Sequence, residues 1–245
     1  YPRDRYIHSI RAMKTKLISG IAAATALVGI VGATNAANAA TLSFTGTVNR
    51  DLTDFDETVN IQQFDSSLGT LRSVTVELFG EIDGTARLEN TSTRSPSTVS
   101  GQLSAVLGLT GGPGGGITLN ANPLRTVGPV TLGVYDRNLD FGGTSGTTIS
   151  GLSANETQTQ TLTSDLSSFI GSGTIPFNFS AVGTSRTTAG GNVASQFETF
   201  ARARVNIIYD YEGVTRVPEA STTIGMALVA GAGLLLQRKK AVKKA

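Results

Sequence analysis

Phe197-Glu198-Thr199-Phe200-Ala201-Arg202-Ala203-Arg204-Val205-Asn206-Ile207-Ile208-Tyr209-Asp210-Tyr211 decides the fold. Phe197, Ala201, Ala203, Val205, Ile207, Tyr209 and Tyr211 fall on one side of a period-two pattern, and Arg202, Arg204, Asn206 and Asp210 on the other. A helix would scatter these residues around its circumference, so the segment reads as a strand with one buried face. It is much longer than an ordinary strand, which predicts a bulge or bend within it.

The same alternation recurs upstream. Thr41 to Val48 puts Leu42, Phe44, Gly46 and Val48 against Thr and Ser. Leu71 to Ile82 places Val74, Val76, Leu78 and Ile82 inward with Glu77 and Glu81 outward, and Thr85 to Glu89 reads as its short partner. Val99 to Leu109 lines up Val99, Gly101, Leu103, Ala105, Leu107 and Leu109, and a later strand carries Ile175, Phe177, Phe179 and Ala181. Val59 to Phe64, Val127 to Tyr135, Thr147 to Leu152 and an edge strand Thr157 to Leu162 complete the set. Between them lie an acidic loop Asp51 to Glu57, turns at Asp65 to Gly69 and Leu139 to Gly143, and a Gly/Thr loop Thr184 to Asn192. Ser164 to Ile170 is the one helix-capable patch, with Ser164 as its N-cap. Gly111 to Gly116 superficially resembles a phosphate loop, but no Lys follows it, so it reads as a connection between strands. Many strands, regular turns and no fixed-period repeat predict an all-β chain, an antiparallel β-sandwich of jelly-roll-like form, with a closed barrel as the alternative.

Both ends depart from this pattern. Met13 is the first Met. Lys14 and Lys16, an apolar run Leu17 to Ala33 and the small residues Ala37 and Ala39 make a basic, apolar and cleavable sequence. Residues 13–39 are therefore expected to be a signal peptide removed by signal peptidase, and residues 1–12 an upstream mistranslated extension. At the other end Val217-Pro218-Glu219 precedes an uncharged run from Thr222 to Leu236 and then Arg238-Lys239-Lys240. As a helix the run is roughly 22 Å long, short of the ~30 Å hydrocarbon core, so it is a marginal transmembrane helix over 222–236. The basic cluster is expected to stay cytoplasmic and stop transfer, leaving Pro218 outside. This three-part order resembles the PEP-CTERM sorting signal of Gram-negative-type bacteria, over residues 217–245. The resemblance implies an exosortase-type membrane protease acting near Pro218-Glu219, with only transient anchoring in the inner membrane. A permanent tail anchor is the plainer alternative.

Charge divides along the same boundaries. Every Lys lies in one of the two end segments, and between residues 40 and 218 ten Arg face sixteen Asp and Glu, a net charge of −6. An acidic domain without Lys is a poor phosphate binder, so nucleic acid is not an expected partner. The chain has no Cys, and its single His is His8. Residues 40–216 therefore offer no Ser-His or Cys-His nucleophile, no Schiff-base lysine, and none of the His or Cys ligands of ordinary zinc, haem or iron–sulfur sites.

Gln63-Phe64-Asp65-Ser66-Ser67-Leu68-Gly69-Thr70-Leu71-Arg72-Ser73-Val74, Glu89-Asn90 and Leu139-Asp140-Phe141-Gly142-Gly143-Thr144-Ser145-Gly146 together resemble the choice-of-anchor E family. The resemblance covers most of residues 41–212. It implies an exported domain carrying an interchangeable anchoring tail, and no activity.

Three chemistries are open to the remaining residues. Asp51, Asp54, Asp56 and Glu57 are the weak metal candidates, as oxygen ligands for Ca²⁺, though a solvated acidic loop explains them as well and no cofactor is expected. Asp136 with Asp140, or Glu77 with Glu81, are the pairs on which a carboxylate glycoside hydrolase would depend. Phe79, Tyr135 and Phe200 lie off the core face and suit a carbohydrate-binding module of the envelope or exopolysaccharide. The leading expectation is a non-enzymatic protein of the cell surface, outer envelope or extracellular matrix. Far-UV circular dichroism of residues 40–216 is expected to be dominated by strand; a helix-dominated spectrum would contradict the sandwich.

Overall fold

The alternation read along 197–211 belongs to a strand that runs from Val193 to Gly213 and is hydrogen-bonded along both edges. The structure, a computed structural model, describes residues 29–30 and 39–214. Its strands are β1 (Gly29–Ile30), β2 (Ala39–Leu52), β3 (Phe55–Gln62), β4 (Gly69–Asn90), β5 (Ser97–Gly111), β6 (Ile117–Ala121), β7 (Leu124–Leu132), β8 (Gly146–Leu162), β9 (Thr174–Gly183), β10 (Arg186–Ala189) and β11 (Val193–Gly213). One sheet has the order β1-β2-β11-β4-β8. In the other, β5 is flanked by β9 and β10 on one edge and by β6 and β7 on the other, with β3 beyond β9. All these pairings are antiparallel. The chain crosses from one sheet to the other at β2–β3, β3–β4, β4–β5, β7–β8, β8–β9 and β10–β11, which is the winding of a jelly roll.

The inner faces meet as the alternation requires. Val74, Val76, Leu78 and Ile82 of β4 and Val205 and Ile207 of β11 pack towards Leu103, Leu107 and Leu109 of β5 and Phe177 and Phe179 of β9, all fully buried. At one end the core is aromatic. Phe64 lies 5.7 Å from Tyr209 and 5.1 Å from Tyr211, and the Tyr209 hydroxyl donates to Gln62 O at 2.8 Å. That bond spares a buried phenol the cost of an unmade hydrogen bond.

β11 alternates without a break from Thr199 to Tyr211. The bulges expected within it lie in its neighbours instead. β2 carries an extra residue opposite Ala201–Ala203, and β4 carries one opposite Asp210–Tyr211. A central strand keeps its phase because two ladders constrain it, and the mismatch moves to the partners.

Four further expectations are corrected. Leu71 to Ile82 and Thr85 to Glu89 are one strand, β4. No turn separates the two at Asp83-Gly84: Gly84 is extended, and a Cβ there would collide with the backbone of Glu198 on β11. The glycine serves close strand approach. The Asp51 to Glu57 loop is mostly strand: β2 continues to Leu52 and β3 starts at Phe55. The Thr184 to Asn192 loop contains β10, which pairs with residues 99–102 of β5. Residues 164–170 make only a 3-10 turn, Leu166–Phe169, preceded by Asp165 rather than capped by Ser164. Two more 3-10 turns occur at Ser66–Leu68 and Pro113–Gly115. The latter lies in the glycine run, which does connect two strands, β5 and β6.

Both ends of the sandwich chain leave from the same side. Ala39 pairs with Glu212 and Ala40 with Tyr211, while Val193 at the start of β11 pairs with Asn90. The loops 53–54, 91–96, 133–145 and 184–192 therefore lie at the end of the sandwich away from residues 39 and 213. Gly29–Ile30, inside the expected signal peptide, pairs with residues 40–41. The signal residue Ala37, the sorting residues Val217, Pro218 and Glu219, the basic cluster Arg238, Lys239 and Lys240, and the expected helix 222–236 lie outside the described residues. Among the described residues no helix is long and apolar enough to cross a membrane.

Tyr209→Phe is expected to cost about 1–2 kcal/mol by stranding Gln62 O, lowering the thermal midpoint by a few degrees, about 2–4 °C per kcal/mol. Burial also pushes the Tyr209 phenol up from its ordinary value. A raised folded-state value means that its share of stability is complete below about pH 10 and falls as pH rises further. Melting of both proteins between pH 7 and 11 checks both statements.

Candidate functional site

The four acids of residues 51–57 do not converge. Asp51 is the penultimate residue of β2, and its Oδ1 accepts the N–H of Leu52 at 2.8 Å. Asp54 lies in the β2–β3 corner, with Oδ1 taking the N–H of Gly183 at 2.7 Å. Asp56 and Glu57 are adjacent strand residues and so point to opposite faces of β3, Asp56 outward and Glu57 on the side of Val59 and Ile61. These carboxylates close a corner and line two faces, and as the side chains stand they form no metal-holding group.

The two acid pairs differ. Glu77 and Glu81 share the outer face of β4 but are four residues apart along a strand, about 13 Å, wider than the roughly 5–9.5 Å separation of glycosidase carboxylates. Glu81 is moreover engaged by Arg202, with Nη2 to Oε1 at 2.7 Å and Nε to Oε2 at 3.0 Å. Asp136 and Asp140 share the β7–β8 loop, and each accepts a hydrogen bond from Asn138. Asp136 Oδ1 accepts the N–H of Asn138 at 2.8 Å. Asp140 accepts the N–H of Gly142 at 2.8 Å and the Asn138 side-chain amide at 2.7 Å. Both are exposed.

The outer face of the β11 sheet assembles a denser constellation that the linear sequence does not display. Arg50 of β2 forms a bidentate pair with Asp83 of β4, at 2.8 and 2.6 Å, and its guanidinium lies 3.6 Å from the ring centroid of Phe200. Arg204 lies over Phe79 at 5.2 Å and belongs to none of the three ion pairs among the described residues. The hydrogen bonds that Arg50 and Arg202 donate to Asp83 and Glu81 raise their already high pKa values, so both guanidinium charges are fixed. An open groove of about 440 Å³ runs between these groups, lined by Asn49, Arg50, Phe79, Glu81, Arg202 and Arg204 among others. Of the expected aromatics, Phe79 borders the groove and Phe200 lies under Arg50. Tyr135 is far from both, in the β7–β8 loop, where its N–H donates to Ser92 O at 2.9 Å. The signal for this face was period two: the outward positions of β4 and β11 carry Glu77, Glu81, Asp83, Arg202 and Arg204 with Phe79 and Phe200 among them, and the register of the two strands brings them side by side.

The last site comprises Glu89 and Asn90 at the end of β4, both fully buried. Asn90 has inward parity and is fully used. Its amide donates to Ser95 O at 2.9 Å and Gly133 O at 2.6 Å, and its Oδ1 accepts the N–H of Ser92 at 2.9 Å. Asn90 thus ties the 91–96 and 133–145 loops to the sheet. Glu89 has the outward parity of Arg87, yet the β7–β8 loop closes over it. Its cross-strand partner is Gly146, and a Cβ built there would overlap Glu89 Oε2 while lying 2.5 Å from Gly142 N and 2.6 Å from the Phe141 carbonyl carbon. Neither Glu89 oxygen has a hydrogen-bond partner.

Comparison with known proteins places no family on the chain. No protein-family model matches, and no curated protein matches. Among solved structures, an infectious bursal disease virus structure, Gt strain, is similar at 10% identity and TM-score 0.24, covering 79% of this chain and 42% of that one. A second, from the T13 particle of the same virus, is similar at 10% identity and TM-score 0.23, covering 71% and 36%. The chain spans less than half the length of either.

Proposed function

We propose that this chain is an exported, non-enzymatic protein of the cell surface or extracellular matrix, delivered through a cleavable signal peptide and a PEP-CTERM-type tail. The observation that carries the proposal is the shared exit of the two chain ends. Ala39 and Glu212 are cross-strand neighbours, so both processing segments attach at one end of the jelly roll. A tail held in the inner membrane there would leave the four opposite loops projecting away from it. Pro218 follows the last described strand, which ends at Gly213, by only five residues in sequence. Because Glu81 is held by Arg202 and the Asp136 and Asp140 carboxylates are bonded within their own loop, no acid–base step is assigned to the domain.

Intact-mass spectrometry of protein from envelope and medium tests this reading. An N-terminus at or next to Ala40 and a C-terminus near Glu219 are expected; recovery of envelope protein that retains residues 238–245 throughout would overturn it.

The outer-face groove favours a second function for the same domain, retention of polysaccharide. Charged forks hydrogen-bond hydroxyls and carboxylates bidentately, and Phe79 supplies an apolar patch beside them. Arg204→Gln is expected to reduce retention on exopolysaccharide gels without moving the thermal midpoint, since Arg204 is exposed and outside the ion pairs. Equal retention of both proteins would remove this role.

A further inference from the structure

We propose that Glu89 and the loop Asp136–Phe141 form a Ca²⁺ site at the end of the sandwich opposite its chain termini. The argument starts with Glu89. A carboxylate removed from water is strongly disfavoured unless something compensates it, and both of its oxygens lack a partner although the residue is fully buried. Its neighbour Asn90, buried to the same degree, uses its amide and its oxygen. Glu89 is therefore an acceptor pair waiting for a ligand that donates charge. Its carboxylate lies against the Phe141–Gly142 backbone, so it is aimed into the β7–β8 loop.

That loop supplies further oxygen ligands. Asp136, Asn138 and Asp140 occupy alternate positions, the spacing of the first three ligands of a calcium loop. The sixth position of such a loop needs a sharp turn, and here Phe141 makes it with φ 57. A bidentate Glu normally completes the cage from the twelfth position. In this chain Glu89, from the adjacent strand, is placed to do so. As the side chains stand, no three carboxylates among the described residues converge on one point. Asp136 and Asp140 are exposed, and Asp136 Oδ1 and both Asp140 oxygens accept local N–H groups, so turning them towards an ion breaks only surface bonds. Asn138 and loop carbonyls complete an oxygen-only set, which suits calcium rather than a softer metal.

Tyr135 adjoins Asp136 and the chain has no Trp, so Tyr-sensitised Tb³⁺ emission reports on this loop. The purified full chain, stripped with chelator, is expected to take up one Ca²⁺ with half-saturation on the order of 0.1–1 mM, the range of extracellular modules. Ca²⁺ should displace Tb³⁺ and raise the thermal midpoint, because it binds the native state alone. Glu89→Gln and Asp136→Asn should each weaken binding about tenfold or more, since affinity follows ligand charge. Asp136→Asn changes an exposed side chain and preserves its acceptor for Asn138, so it remains informative if Glu89→Gln folds poorly. Asp51→Asn and Asp56→Asn should bind as the unaltered chain does. The proposal is overturned by no uptake at several millimolar Ca²⁺, by uptake unchanged in both loop-site variants, or by uptake lost in Asp51→Asn. It is also overturned if Glu89→Gln raises the midpoint while Ca²⁺ leaves the unaltered chain unmoved.

Discussion

The double ladder on β11 is the constraint on which the rest depends. This strand bonds to β2 along one edge and to β4 along the other for most of its length. Its inward residues, from Ala201 through Val205 and Ile207 to Tyr209, fix which face of the whole sheet is apolar, because a one-residue slip would expose all of them together. The partners adapt to it. β2 and β4 take the bulges, and β8 takes another opposite Gly84–Ala86. The cost of joining distant parts of the chain is therefore offset in one place, where the last strand is inserted between two early ones.

That insertion also arranges the outer face. Arg202 and Arg204 reach Glu81 and Phe79 only because β11 is in register with β4, and Arg50 reaches Asp83 across the width of β11. The β2 bulge lies beside Arg50, between Val48 and Asp51. Core register and surface constellation are thus two consequences of one pairing. The same pairing puts residues 39 and 212 side by side, so the segments read as processing signals attach together and the loops around Glu89 are remote from them.

Sequence reading works here where a residue's environment is set by parity. The inward faces of β5, β9 and β11, and of β2 as far as Val48, are legible, because each alternates there and carries no charge on that face. It fails where tertiary contact changes the meaning of a local signal. Asp83-Gly84 has the composition of a turn, but Gly84 is there to let β11 approach. Residues 51–57 are acidic and read as a loop, although Phe55, Val59 and Ile61 keep strand parity through them. β10 is too short and polar to announce itself. The burial of Glu89 is invisible in sequence, because its parity is outward and only the return of Phe141–Gly142 over Gly146 covers it. Without Glu89 beside it, the Asp136-x-Asn138-x-Asp140 spacing is indistinguishable from an ordinary polar turn.

Residue-resolved hydrogen exchange tests the central role of β11 most directly. Amides of Val205 to Tyr209 and their partners, Leu42 to Gly46 and Val74 to Leu78, should exchange slowest and at a common rate set by global opening. Strands β10 and β3, at the margins of the second sheet, should exchange sooner. Early exchange in β11 while β5 and β9 stay protected would contradict the account, because the second sheet would then be the stable frame and the inserted strand an addition to it.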